Sequence, residues 1–171
     1  MEILALYESS DNIGTALAAG ARHLAGIVEG FALIYCDGAD PSEPDGWAGF
    51  TCAQDAQTAG ASLATFRTQS AEAERPLRCD APTEPTRVWE RANGGVFGFP
   101  LRHSGRTRGV AIVGCPGSWP RVRNAEIESV LRQITLVLDH HGVSVSGGGG
   151  DEEPGDELLR LSEQLLAQDI E

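Results

Sequence analysis

Two apolar segments joined by a short polar turn, at residues 95–115, constrain the fold of this chain more than any other feature. GVFGFPLR (95–102) and GVAIVGC (109–115) flank the turn HSGRTR. Apolar runs joined by a short turn that contains Gly are typical of a β-hairpin. Because a hairpin pairs its strands in opposite directions, this segment predicts an antiparallel sheet rather than the alternating parallel units of a doubly wound fold.

Amphipathic helices are predicted on both sides of the hairpin. Before it, Asp11 is a candidate N-cap, and apolar residues follow at helical spacing until Gly30: Ile13, Leu17, Ala21, Leu24 and Val28. After it, Asn124 is a candidate N-cap for a helix that runs to His141, with apolar residues that exceed one stripe: Ile127, Val130, Leu131, Ile134, Leu136, Val137 and Leu138. That excess predicts a second buried side and, with it, a homodimer formed through the terminal helices.

The segments between these helices complete the predicted order. FALIYC (31–36), WAGFTC (47–52) and PLRCD (76–80) indicate strands, residues 56–73 an Ala-rich helix, and residues 88–91 a helical turn. Helix, strand, strand, helix, strand, hairpin and helix make an α+β domain. We expect a central antiparallel sheet with the N- and C-terminal helices packed on one face.

The charge of the chain excludes several function classes. There are 25 acidic residues against 13 basic ones, and all 13 are Arg. Without Lys there is no phosphate-binding P-loop and no Schiff-base catalysis. A net charge of −12 disfavours nucleic acid, whose phosphates it would repel.

Cysteine and histidine spacing predicts no metal site and no disulfide. Cys36, Cys52, Cys79 and Cys115 form no CxxC pair, and neither His140 nor His141 has another ligand one helical turn away. The N-terminus lacks the features of a secretory signal, and no apolar run is long enough to cross a membrane. We therefore expect a soluble, cytoplasmic protein with reduced thiols and no cofactor.

The C-terminal region predicts a tethered helix. Residues 1–144 form the predicted domain, residues 145–155 a Gly-rich acidic linker, and residues 156–171 an amphipathic helix. Residues 151–171 carry a net charge of −7, which leaves −5 for residues 1–150. An isolated helix of this length is marginal in water, so we expect it to fold on docking in a hydrophobic groove, in cis or in trans. Its candidate partner-binding residues are Leu158, Leu161, Leu165 and Ile170.

Three segments together resemble the GAF domain family over residues 3–141. ILALYESSDNIGTAL is similar to the first helix of signalling GAF domains, GVFGFPLRHSGRTRGVAIV to their two-strand core, and RNAEIESVLRQITLVLDHH to their closing helix. The resemblance implies a ligand pocket on the sheet face opposite the terminal helices, covered by the middle helix and loops. Its candidate wall holds most of the aromatic residues and one cysteine: Trp47, Phe50, Phe66, Cys79, Trp89, Phe97 and Phe99. The alternative interpretation is that these side chains are simply core.

Family subgroups differ in the residues that they require. The cyclic-nucleotide signature needs a Lys, and bilin attachment uses a Cys followed by His; neither occurs here. The free methionine sulfoxide reductases remain an alternative, although their Gly-Val-Cys-Gly element is missing and Cys79 is the one cysteine in a comparable segment. The favoured hypothesis is a non-enzymatic signalling module that acts through protein contacts, with small-ligand sensing as its second form.

Overall fold

The computed structural model describes Ile3, Ala5, residues 12–79 and residues 92–146, the last four by backbone alone. Over these ranges the chain forms an α+β domain around a five-stranded sheet, which confirms the predicted fold class. Its helices and strands, in chain order, are α1 (Ile13–Val28), β1 (Phe31–Cys36), β2 (Gly46–Ala48), α2 (Ala53–Ser62), α3 (Ala64–Glu72), β3 (Leu77–Cys79), β4 (Gly95–His103), β5 (Arg106–Cys115) and α4 (Asn124–Ser146). The strand order in the sheet is β2-β1-β5-β4-β3, and every pairing is antiparallel.

The β4–β5 hairpin is the centre of this sheet, as the sequence predicts. His103 pairs with Arg106 across a two-residue turn. Ser104 and Gly105 in that turn have φ angles of 49° and 77°. Positive φ at both positions is what a type I′ hairpin turn requires. β5 then pairs along its other edge with β1, five of whose six residues are buried.

α1 and α4 cover one face of the sheet, hereafter the α1–α4 face. Leu17, Leu24, Ile134 and Leu138 are buried there against strand residues such as Ile34. α4 contacts both α1 and strands β4 and β5. Most of the apolar surface of α4 is therefore buried within the domain. Five of its seven predicted apolar residues are buried, and Leu131 and Leu136 are half-buried.

α2 and α3 cover the opposite face, hereafter the α2–α3 face. The predicted single helix over 56–73 is two shorter helices, divided at Leu63, and the first begins at Ala53. Leu63 is 2% exposed and packs onto the sheet, so the break between the helices points its side chain into the core.

Several predicted boundaries were wrong by a few residues. The N-cap of α1 is Asn12, whose side chain accepts a hydrogen bond from the Thr15 amide, rather than Asp11. Asn124 is the first helical residue of α4, because the 3₁₀ turn Arg121–Arg123 leads directly into it. β2 ends at Ala48, short of the predicted residue 52, and α4 runs to Ser146, two residues into the predicted linker. The helical turn at 88–91 and the tail at 156–171 lie outside the described residues.

Candidate functional site

The structure divides the predicted pocket residues between the two faces of the sheet. Trp47, Phe50, Phe66 and Cys79 lie on the α2–α3 face, with Phe66 buried and the others half-buried. Trp89 is outside the described residues.

Phe97 and Phe99 do not join the other predicted pocket residues. Side chains alternate along β4, and Gly98 faces α3, so its two neighbours point to the α1–α4 face. There Trp119 stacks on both rings, at centroid distances of 4.3 and 5.8 Å. The predicted wall of seven residues is therefore not one surface.

Side chains fill the interior of the α2–α3 face within the described residues. The sheet supplies most of the volume, and the helices approach closely through small residues. A Cβ at Gly98 would lie 2.0 Å from the Ser70 hydroxyl oxygen and 3.2 Å from the Phe66 ring. The buried members of this cluster are Phe31, Leu33, Tyr35, Ala56, Ala59, Leu63, Phe66, Ala92, Val96, Val110 and Ile112. These side chains form the apolar core of the α2–α3 face, the side of the sheet on which the resemblance implies a ligand.

A groove of about 260 Å³ opens at the edge of this filled region. It lies between the β1–β2 loop, α3 and the start of β5, and its polar lining includes Asp40, Arg67, Glu72 and Thr107. The Arg67 guanidinium donates a hydrogen bond to the carbonyl of Pro41 in that loop. α3 and the loop are thus held together at the mouth of the groove.

Tyr35 lines the groove and also belongs to the buried cluster of the α2–α3 face. The residue is 4% exposed, and its hydroxyl has no hydrogen-bond partner within the described part of the chain. Arg67 lies over its ring, 4.5 Å from the centroid. Burial raises the pKa of Tyr35, and the nearby Arg67 charge opposes part of that rise. At neutral pH the side chain is therefore a buried, uncharged hydroxyl beside a cation.

Gly60 makes room for that hydroxyl. A Cβ on Gly60 would lie 2.0 Å from the Tyr35 oxygen, so α2 can approach the sheet here only without a side chain. Sequence reasoning did not select Tyr35, Arg67 or Gly60. The alternation of side chains along FALIYC could have identified Tyr35. It places Phe31, Leu33 and Tyr35 on one face of the strand, and the Tyr35 hydroxyl is then a polar group in an apolar surface that needs a hydrogen-bond partner.

A second cleft, of about 450 Å³, lies at the same end of the sheet, on the α1–α4 face. Arg108 lines it and forms a 2.6 Å ion pair with Asp139. Cys36 lines it as well, and its amide donates a 2.7 Å hydrogen bond to Asp45. Burial, together with the Asp45 charge, raises the pKa of the Cys36 thiol to about 12. This cysteine is a poor nucleophile at neutral pH because it is not a thiolate.

The sheet keeps most of the cysteines apart. Cys79 packs on the α2–α3 face, whereas Cys36 and Cys115 pack on the α1–α4 face. The Cys115 thiol donates to the Gly117 carbonyl at 3.0 Å. None of the four cysteines is in a disulfide, and no cluster of three metal-ligating side chains occurs among the residues that the structure describes. Every helix in those ranges is too short or too polar to cross a bilayer.

Comparison with known proteins identifies the fold. No protein-family model and no curated protein sequence matches this chain. Solved structures do match, among them the GAF domain of a phosphoenolpyruvate-protein phosphotransferase from Coxiella burnetii, at 14% identity and a TM-score of 0.59, over 84% of this chain and 92% of that one. The second GAF domain of DevS from Mycobacterium smegmatis matches at 15% identity and a TM-score of 0.53, over 79% and 99%.

A methyl-accepting chemotaxis protein, residues 122 to 287, also matches, at 16% identity and a TM-score of 0.55, over 81% of this chain and 95% of that one. The agreement extends over nearly the whole described domain. The chain therefore has the GAF fold, with its terminal helices on one face of an antiparallel sheet, as the resemblance implies.

Proposed function

We propose that this protein is a non-enzymatic regulatory GAF module that acts on other proteins through direct contacts. The observation that carries the proposal is the apolar cluster on the α2–α3 face, whose described side chains are buried against one another. Such a domain acts on a partner protein through contacts at its surface. The methyl-accepting chemotaxis protein, which shares the fold, supports a role in signalling.

The C-terminal segment is the proposed partner-binding element. Leu158, Leu161, Leu165 and Ile170 supply apolar side chains to an acidic helix that follows a Gly-rich linker. Affinity capture with the full chain, and with a chain that ends at Gly150, tests this assignment. The partner should be captured by the full chain alone.

Two double variants separate a docking surface from a merely acidic tail. Leu161→Asp with Leu165→Asp places two charges on the apolar stripe and should abolish capture. Gln164→Asp with Ala167→Asp places the same charges on the polar side of the helix and should preserve it. Equal capture by both variants would contradict the docking helix.

Small-ligand sensing is the second candidate, and Tyr35 is the observation that favours it. A buried Tyr35 hydroxyl next to the Arg67 guanidinium suits a small molecule that carries an acceptor and a negative charge. A panel of small carboxylates and phosphates should contain a compound that raises the Tm of the wild type but not of Arg67→Ala. If no compound raises the Tm, the module does not sense such anions.

Homodimerisation and a cytoplasmic location belong to the same proposal. A second copy would pack on the outer sides of the terminal helices α1 and α4, as the sequence predicts. Light scattering at tens of micromolar should give the mass of a dimer; a monomer mass at that concentration contradicts it. The hydrogen-bonded, reduced Cys115 thiol suits a reducing compartment.

A free methionine sulfoxide reductase that uses Cys79 is the enzymatic alternative. Such chemistry needs a resolving thiol within reach, and the sheet separates Cys79 from Cys36 and Cys115. Cys52, which is exposed at the start of α2, is the remaining candidate. Thiol-dependent turnover of free methionine sulfoxide that Cys79→Ser abolishes would establish the enzyme and overturn the regulatory assignment.

A further inference from the structure

An apolar groove of about 480 Å³ lies where α4 leaves the outer part of the sheet uncovered. Phe99 from β4 and Leu131 and Leu136 from α4 line it, and all three are half-buried. The Phe97 and Trp119 rings continue the apolar surface from Phe99 toward the start of β4. The α1–α4 face is thus partly open beside β4, between that strand and α4.

Arginine side chains border this apolar floor. Arg102, at the end of β4, lines one side, and Arg132, on α4, lines the other; both are exposed. Arg78 on β3 lies over the Phe97 ring, with its guanidinium carbon 5.7 Å from the ring centroid. Glu74 and Glu128 also line the groove. The lining thus holds two guanidinium groups and two carboxylates, and the exposed Arg102 and Arg132 are the cations that it offers to an acidic segment.

We propose that this groove is the intramolecular docking site of residues 156–171. This proposal rests on the proposed function of that segment as a docking helix, and it names the surface that receives it when no partner is bound. The segment combines six apolar residues with five acidic residues and one Arg, Arg160. Its leucines match the apolar floor, and its carboxylates match Arg102 and Arg132.

The length of the chain permits the contact within one molecule. α4 ends at Ser146, and the groove begins about ten residues earlier on that helix, at Leu136. At about 1.5 Å per residue, this is a distance of about 15 Å. The nine residues 147–155 span about 15–18 Å on average as a flexible Gly-rich chain. The segment can therefore turn back and lie antiparallel to α4.

The proposed contact would regulate access to the docking helix. A linker of this length gives an effective concentration of roughly 1 mM, so even a weak interaction of about 0.1 mM affinity keeps about nine-tenths of the segment bound. A partner must then compete with the groove for the same leucines. Substitutions that change the charge of the groove would therefore alter how strongly the groove competes with the partner, while the partner-binding leucines stay unchanged.

Amide hydrogen exchange in the full chain tests the proposal. In the wild type, residues 156–170 should exchange about tenfold more slowly than an unstructured peptide, with the same protection from about 5 to about 200 µM protein. Arg102→Glu with Arg132→Glu should reduce that protection to less than about twofold. Arg22→Glu with Arg123→Glu, a matched reversal of two exposed arginines that do not line the groove, should preserve it. Unchanged exchange in α1 and β5 shows that each variant is folded.

Trp119 provides a readout from the groove itself. Its indole N–H donates a 2.7 Å hydrogen bond to Asn124, next to the Phe97 and Phe99 rings. The NMR signal of that N–H should shift in Leu161→Asp with Leu165→Asp and stay in place in Gln164→Asp with Ala167→Asp.

Three results would overturn the proposal. The first is exchange of residues 156–170 at the unstructured rate. The second is protection that the Arg102→Glu, Arg132→Glu variant keeps, because another surface then binds the segment. The third is protection that rises with protein concentration, because the groove of a second copy is then the site. Capture of a partner by the leucine stripe can succeed or fail independently of all three, so the proposed function is tested separately.

Discussion

The two faces of the sheet achieve burial in opposite ways. On the α1–α4 face the helices supply large side chains, and the backbones come close at Gly20, where a Cβ would lie 2.8 Å from the Ile134 side chain. On the α2–α3 face most of the bulk comes from the sheet, and the helices contribute mainly Ala56, Ala59, Leu63 and Phe66. Interlocked large side chains resist displacement, whereas a cover of small residues can shift at low cost. The first face should therefore hold the fold together, and the second should respond to what binds beside it.

Truncation of one large residue on each face gives the largest expected difference. Ile134 is 0% exposed and lies between α1 and the sheet, so Ile134→Ala should lower the free energy of unfolding by about 4 kcal/mol. Leu63 is 2% exposed but lies at the break between two short helices, which can close over the space. Leu63→Ala should cost about 2 kcal/mol. Urea denaturation measures both, and equal losses would contradict the contrast between the faces.

A side chain added to α2 should test one of the tight contacts on the α2–α3 face. Gly60→Ala places a Cβ 2.0 Å from the Tyr35 hydroxyl oxygen and should destabilise the protein by about 1–3 kcal/mol. Combination with Tyr35→Phe removes that oxygen and should recover most of the loss. Gly26→Ala is the matched control, because a Cβ there meets nothing within 4 Å and should stabilise α1 by about 0.5–1 kcal/mol. Similar effects of the two Gly→Ala changes would show that α2 is free to move away.

The sequence predicts the α1–α4 face better than the α2–α3 face, for a physical reason. Helical spacing of large apolar residues, as in Ile127, Ile134 and Leu138, directly identifies the side that a helix buries. Residues 53–72 have few large residues, so their periodicity shows neither the break at Leu63 nor the start at Ala53. Ala and Gly pack closely wherever the partner surface allows, and that surface is formed by strands distant in sequence.

The sequence does not show which face of the sheet Phe97 and Phe99 occupy, because β4 is apolar on both of its faces. Phe97, Phe99 and Leu101 alternate with Val96, Gly98 and Pro100, so both sets of residues suit a core. A strand that is buried on both faces carries no signal about which face is which. The structure resolves the ambiguity through Gly98, which α3 can approach only because it lacks a side chain.

Alkaline pH should weaken the contact around Tyr35 selectively. The pKa of Tyr35 is raised in the folded state, so its contribution to stability is complete below the ordinary tyrosine pKa near 10 and is lost as the pH rises through the higher folded value. Between about pH 10 and 11, the free energy of unfolding of the wild type should therefore fall more steeply than that of Tyr35→Phe. Urea titrations of both proteins at several pH values measure the two slopes. Parallel slopes would mean that the hydroxyl is solvated in the folded state.

The smallest expected effect is a difference in reactivity between two half-buried cysteines on opposite faces of the sheet. Cys36 has its pKa raised to about 12, first by burial and then by the Asp45 charge, so iodoacetamide at about pH 8.5 should modify it more slowly than Cys79 on the α2–α3 face. Asp45→Asn keeps an oxygen acceptor for the Cys36 amide and removes the charge. Because the charge is the smaller cause, this change should speed modification of Cys36 only about two- to fivefold.

Cys79 serves as the internal reference in that experiment, since it lies across the sheet from Asp45 and its rate should not change. Mass spectrometry of the digested protein follows both sites in one sample. A Cys36 that reacts as fast as Cys79 in the wild type would mean that the α1–α4 face opens at this end as readily as its counterpart. A Cys36 rate that Asp45→Asn leaves unchanged would assign the whole effect to burial, and the helices rather than the β1–β2 loop would then keep this thiol protonated.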